Sequence, residues 1–161
     1  MYRNISGNKV VLVPHHIAES EDGDAYSVTV IVNKAFYAKT HGQDVEVFVL
    51  PDTVVSIGKY AFMLVNAKAI YMTDSVTTIG AEAFNSITTL ETLVLSKNVA
   101  TLTQNTFMGT SISNLFFTGG SNEMTTNVTR ELTGKCGKIY YYSESSASNC
   151  WHYHNGAITI W

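Results

Sequence analysis

Cysteine and histidine come closest together in this 161-residue chain at Cys150-Trp151-His152-Tyr153-His154. On a strand, alternate side chains share a face. One thiol and two imidazoles would then stand in a row, opposite Trp151 and Tyr153. Thiolate and imidazole are ligands that zinc takes, and Cys136 is a candidate fourth. Residues two apart on a strand lie ~6–7 Å apart, which does not close round one ion without a bend. Cys150, His152 and His154 are therefore read as the polar face of an amphipathic hairpin, and no metal or cofactor is assigned. Cys136 and Cys150 are the only cysteines. A disulfide between them would close a short loop and contribute ~3 kcal/mol, but it needs an oxidising compartment. Two reduced thiols is the simpler expectation.

Other candidates for chemistry are weaker. His15-His16 follows Pro14, and an adjacent pair does not readily grip one metal. The acidic run Glu19-Ser20-Glu21-Asp22-Gly23-Asp24 reads as a polar turn. It lacks the spacing and the distal Glu of a calcium loop. Asn4-Ile5-Ser6 and Asn127-Val128-Thr129 are formal glycosylation sequons, relevant only in a eukaryotic secretory setting. The chain contains no Gly-x-Ser-x-Gly, no Gly-rich phosphate loop and no His-Glu-x-x-His. No catalytic residue is assigned, and the expectation is a protein that is not an enzyme. A net charge of −3 gives no electrostatic footprint for nucleic acid. No apolar run reaches the ~18 residues of a membrane span. Met1-Tyr2-Arg3-Asn4 leads into polar residues rather than a signal peptide. That suits a cytosolic product, a piece of a longer surface protein, or a protein released by another route.

The elements that position these residues are written in a repeat. Phe62, Phe84 and Phe107 recur at steps of 22 or 23, as do Val54, Val76 and Val99, and Leu50, Met72, Leu95 and Phe117. A fixed period in this range is the signature of a solenoid. Each unit has a strand pattern, Leu90-x-x-Leu93-x-Leu95, matched at Val45/Phe48/Leu50, Ala67/Ile70/Met72 and Ile112/Leu115/Phe117. Each also has a second wall, Val76-x-x-Ile79-x-x-x-x-Phe84, whose Phe follows a small residue (Ala61, Ala83 or Thr106) on a short helical turn. Ile31 to Phe36 repeats the spacing of Ile57 to Phe62, which adds a coil ahead of Val45. Stacked coils share one core that no single coil could bury.

The strings Leu-Pro-Asp-Thr-Val-Val-Ser-Ile-Gly-Lys-Tyr-Ala-Phe (50–62) and Thr-Asp-Ser-Val-Thr-Thr-Ile-Gly-Ala-Glu-Ala-Phe (73–84) resemble BspA-type leucine-rich repeats. The third copy departs from the pattern, with Lys97-Asn98-Val99 at the turn and Thr103 where Gly58 and Gly80 stand. The fold expected is a strand-dominated leucine-rich-repeat solenoid of about four coils of 22–26 residues. It would form a single domain over 1–161, with repeats at 9–118 and a loop and cap at 119–161. After Thr118 the period stops, and residues 119–135 read as loop with one helical turn near Val128–Leu132. Asn155-Gly156 between two apolar-aromatic runs signals a type I′ hairpin. Trp151, Tyr153, Ile158, Ile160 and Trp161 suit it for covering the exposed end of the core.

The residue between the two buried ones on each strand should point outward. Val49, Tyr71, Val94 and Phe116 would then form an apolar-aromatic stripe across the sheet, beside Val47, Ala69, Thr92 and Asn114. Such a stripe suits a protein partner, with the loop 37–43 as one rim. The resemblance implies adhesion at a bacterial cell surface and contact with other proteins, host matrix proteins included. It also implies an extracellular location, which the start of the chain does not support. The alternative is a structural or accessory subunit, for instance phage-encoded, or one domain cut from a larger surface protein. Self-association is compatible with either.

Overall fold

Short strands and Phe-bearing turns coil into a solenoid. The fold is that of a computed structural model that describes residues 9–19, 25–38, 45–103 and 105–161. The acidic run at 20–24, the loop at 39–44 and the sequon at Asn4 lie outside the described residues.

An eight-stranded sheet forms one wall. It contains β1 (Val10–Leu12), β5 (Val47–Val49), β7 (Ala69–Tyr71), β9 (Thr92–Leu95), β10 (Ile112–Phe117), β11 (Cys136–Tyr142), β12 (Cys150–His154) and β13 (Ala157–Ile160), in that spatial order. Neighbours run parallel as far as β12, and β12–β13 is an antiparallel hairpin. A second wall is the parallel trio β4 (Val30–Ile31), β6 (Ser56–Ile57) and β8 (Thr78–Ile79). The strands β2 (His16–Glu19) and β3 (Ala25–Ser27) make a separate antiparallel pair.

Register follows the sequence period. Phe48, Ile70, Leu93 and Leu115 are level with one another and fully buried between the walls. Behind them stands a column of rings, one from each of the first four coils. Phe36, Phe62, Phe84 and Phe107 lie 5.0, 5.3 and 5.2 Å apart between centroids, with planes within 18°. Phe48 meets Phe36 and Phe62 edge-on at 4.9 and 5.1 Å.

The turns that carry these rings bond in two directions. Within a coil, Ala61 N–H donates to the Gly58 carbonyl and Ala83 N–H to that of Gly80. Between coils, Phe36 N–H donates to Ala61 O, Phe62 to Ala83 O and Phe84 to Thr106 O, at 2.8–3.0 Å. This sideways bonding requires left-handed backbone at Lys34, Tyr60 and Glu82, and again at Leu64, Ser86 and Gly109. It also draws backbones together. A Cβ on Gly58 would lie 2.6 Å from Asn33 N, and one on Gly80 2.6 Å from Lys59 N.

The wealth of Ser and Thr has a structural use at the corners. Thr73 donates to Pro51 O, Ser75 to Val54 O, Thr89 to Ala67 O and Ser96 to Val76 O, each bridging to the preceding coil. Thr110 accepts from Ile87 N–H and donates to Phe84 O. Among the described residues no buried side-chain polar atom is left without a partner.

The stacking continues past Thr118. Strand β11 lies parallel beside β10, and the coil between them contains the helix α1 (Thr126–Leu132). Val128 and Leu132 from α1 enter the same core as the Phe column. The Thr125 hydroxyl accepts from Val128 N–H as the N-cap. Asn127 Oδ1 accepts from Leu102 N–H at 2.6 Å, so the sequon asparagine ties this coil to the previous one. Five coils thus join the six parallel strands from β1 to β11.

Gly80→Ala is expected to destabilise the protein by ~3 kcal/mol through the clash with the Lys59 backbone. Gly134→Ala meets nothing within 4 Å and is expected to cost only the ~1 kcal/mol of a positive φ. Urea melts of the two variants check this, and equal losses would show that the coils do not approach at Gly80.

Candidate functional site

The pleat that buries Phe48, Ile70, Leu93 and Leu115 turns their neighbours to the opposite face. Leu12, Val49, Tyr71, Val94, Phe116 and Tyr140 run level across the sheet as one outward column. The four residues expected to form a stripe are brought together on this face. They are not all open to solvent. Val94 is 0% exposed and Phe116 5%, whereas Val49 and Tyr71 are half-buried and Leu12 is 48% exposed.

The cover over Val94 and Phe116 is the C-terminal hairpin. Strand β12 pairs with β11 only at Tyr141↔Cys150 and Tyr142↔Trp151. Trp151 then lies edge-on to Phe116 at 5.7 Å, to Tyr142 at 5.5 Å and to Tyr153 at 4.9 Å. Its indole N–H donates to Phe117 O at 2.8 Å. Phe116 in turn stacks on Tyr140 at 5.1 Å. Val94, Phe116, Tyr140 and Trp151 make a second, smaller apolar cluster, with Tyr71, Tyr142 and Ile158 at its margin. The hairpin turns at Asn155 and Gly156, with φ of 49° and 78°. Those values are the type I′ geometry that the pair favours. Trp151 thus covers the outer face of the sheet, while Val128, Leu132, Ile139 and Tyr141 contribute to the core at the last coil.

Beside the hairpin lies a cleft of about 420 Å³ at the ends of β7, β9 and β10. Burial raises the pKa of the Tyr153 hydroxyl, and the nearby Asp74 carboxylate and the phenols of Tyr71 and Tyr142 push it the same way.

The cysteine and histidine row takes a different form from a metal centre. The rings of His152 and His154 are 6.2 Å apart, and His152 stacks on Trp161 at 4.0 Å. Cys136 pairs with Ile112 at the start of β11, and Cys150 is level with Tyr141 near its end. Five residues of strand separate them by ~16 Å, beyond reach of a disulfide. Both thiols are free. Burial pushes the Cys136 thiol up to about 11. Among the described residues no three His, Cys, Asp or Glu side chains gather to hold a metal ion. His15 instead pairs with Asp52 at 3.0 Å. No helix among the described residues is long and apolar enough to cross a membrane.

Parallel strands stacked one per coil, a Phe column and corner hydroxyls define a leucine-rich-repeat solenoid. The chain belongs to the BspA-type leucine-rich repeat family, whose model for the BspA type leucine rich repeat region matches residues 25–136 in six copies. Repeats of this kind are commonly protein-interaction modules. Among solved structures, the chain is similar to a leucine-rich repeat protein from Bacteroides capillosus. The two are 22% identical with a TM-score of 0.57, over 71% of this chain and 80% of that one. A leucine-rich repeat protein from T. pallidum matches at 20% identity and a TM-score of 0.46, over 68% of this chain and 58% of that one. Comparison with curated proteins gave no match.

Trp151→Phe removes the indole N–H that the Phe117 carbonyl accepts. A loss of ~2 kcal/mol is expected, read as faster hydrogen exchange in β12 and β13 with the Phe-column coils unchanged. Unaltered exchange in the hairpin would show that Trp151 does not hold it to the sheet.

Proposed function

We propose that this protein is a non-enzymatic binding module whose partner is a protein, and that it acts in adhesion as its family membership suggests. The observation that carries this reading is the open half of the outward column. Leu12, Val49 and Tyr71 are level with one another on β1, β5 and β7, Val10 and Val47 form a second row on the same face, and the hairpin cluster reaches this patch only at Tyr71. Charged pairs border this patch on both sides. At the strand starts, Glu46 accepts from Lys9 at 2.8 Å and pairs with Lys68 at 2.9 Å. These lysines hold its pKa below the usual carboxylate value. Past the strand ends stand His15 with Asp52, and Asp74 with Lys97. An apolar centre inside a polar rim is the anatomy of a protein interface. A row of Val, Leu and Tyr on a rigid sheet also needs no ordering on binding.

Of the stripe Val49, Tyr71, Val94 and Phe116, the contact residues proposed are Val49 and Tyr71, extended by Leu12. Val94 and Phe116 support the hairpin from below. A structural subunit would bury the same patch against a second copy of the chain. Light scattering of the wild type separates that case from a monomeric module.

Leu12→Ser combined with Tyr71→Ser is expected to weaken binding to the extracellular-matrix protein captured by the wild type at least about tenfold. Stability in urea should change by no more than ~2 kcal/mol, because Leu12 is exposed and Tyr71 only borders the smaller apolar cluster. Surface-based binding assays on a panel of purified matrix proteins check this. Capture unaffected by the double variant would contradict the proposed face.

A further inference from the structure

The cleft beside the hairpin has two walls of different chemistry. One is polar and tightly held. The Thr118 hydroxyl donates to the Asp74 carboxylate, and its oxygen accepts from Lys97 N–H at 2.8 Å. Asn98 Nδ2 donates to the Asp74 carbonyl at 2.6 Å. The Lys97 ammonium stands 3.7 Å from the second Asp74 oxygen. That separation is longer than a hydrogen bond, so both groups keep capacity for a further partner. The other wall is aromatic, formed by Tyr142 and Tyr153 around the buried Trp151. Tyr153 remains 54% exposed.

These walls select among ligands. Carboxylate and ammonium together carry no net charge, so the cleft favours neither a cation nor an anion. The polar wall offers a donor and an acceptor side by side, which suits adjacent hydroxyl groups. The aromatic wall offers π faces, whose negative potential attracts the polarised C–H bonds of an apolar ligand face. A pyranose ring has both features, hydroxyls at its edge and C–H bonds on its face. A volume of about 420 Å³ falls in the lower part of the range for small-molecule sites and leaves room for a short oligosaccharide end.

We propose that this cleft binds a neutral saccharide, with a ring face on Tyr153 and Tyr142 and adjacent hydroxyls spanning Asp74 and Lys97. The site adjoins the open patch at Tyr71 but uses other residues, and it does not rest on the protein-binding reading. It depends on the hairpin, since Tyr153 and Trp151 come from β12.

Saturation-transfer NMR on the full chain tests this, with lactose, maltose, cellobiose, N-acetyllactosamine and diacetylchitobiose as probes and an arginine-containing tripeptide as a cationic control. At least one saccharide should show saturable transfer concentrated on ring C–H protons. Tyr153→Ala and Asp74→Asn should each weaken it about tenfold or more. Thermal melts confirm that the variants fold, and Lys97→Met serves if Asp74→Asn does not. Loss of saccharide binding with matrix-protein capture intact would keep the two sites distinct. The proposal is overturned if no saccharide gives saturable transfer, if folded variants bind as the wild type does, or if only the tripeptide binds.

Discussion

The column of phenylalanine rings sets the spacing of everything else. Centroid separations of 5.0–5.3 Å between Phe36, Phe62, Phe84 and Phe107 are close to the ~4.8 Å between paired strands. One ring from each of the first four coils therefore stacks without tilting the coils apart. That spacing in turn dictates the residues around the rings. Ala61, Ala83 and Thr106 precede three of them and are fully buried, where a larger side chain would hold the coils away from each other. Gly58 and Gly80 stand where the backbone of the previous coil leaves no room for a Cβ. Corner hydroxyls donate to carbonyls of the preceding coil and so tie the coils together. Because each coil stacks chiefly on its neighbours, with the Thr118–Asp74 bond reaching one coil further, stability accumulates largely coil by coil.

The outer face of the sheet inherits the same spacing but meets a different need. A flat row of Val, Tyr and Phe across an open sheet invites association with other chains. The C-terminal hairpin covers the last part of that row through Trp151, which fills the space above Phe116 and is fixed by one hydrogen bond to Phe117 O. The first part stays open. The hairpin thus divides one continuous stripe into an internal cluster and an available surface, and it creates the cleft along the boundary.

The repeat itself was legible because the rings, the strand pairs and the turn valines recur at 22 or 23 residues, and these are the positions that the structure stacks. Alternation also identified which strand residues face away from the core. It carried no information on whether another segment lies over them, so the burial of Val94 and Phe116 was not readable from their own strands. The signal lay far away, in a Trp and three tyrosines near the C-terminus. The coil after Thr118 was obscured for a different reason. A helix supplies Val128 and Leu132 in place of a single Phe, so the stacking persists where the sequence period is lost. Cys150, His152 and His154 do alternate on one strand. Yet His152 is engaged by Trp161, and the strand register leaves Cys136 near the far end of β11.

The central claim is that the hairpin covers one part of the outward column and leaves the other open. Hydroxyl-radical footprinting of the intact chain, read at Leu12, Tyr71, Phe116, Tyr140 and Trp151, tests it most directly. The account predicts modification of Leu12 and Tyr71 in the folded protein, with Phe116, Tyr140 and Trp151 protected until unfolding. Modification of Trp151 and Phe116 at the rate of Tyr71 would contradict it, because the hairpin would then not lie on the sheet.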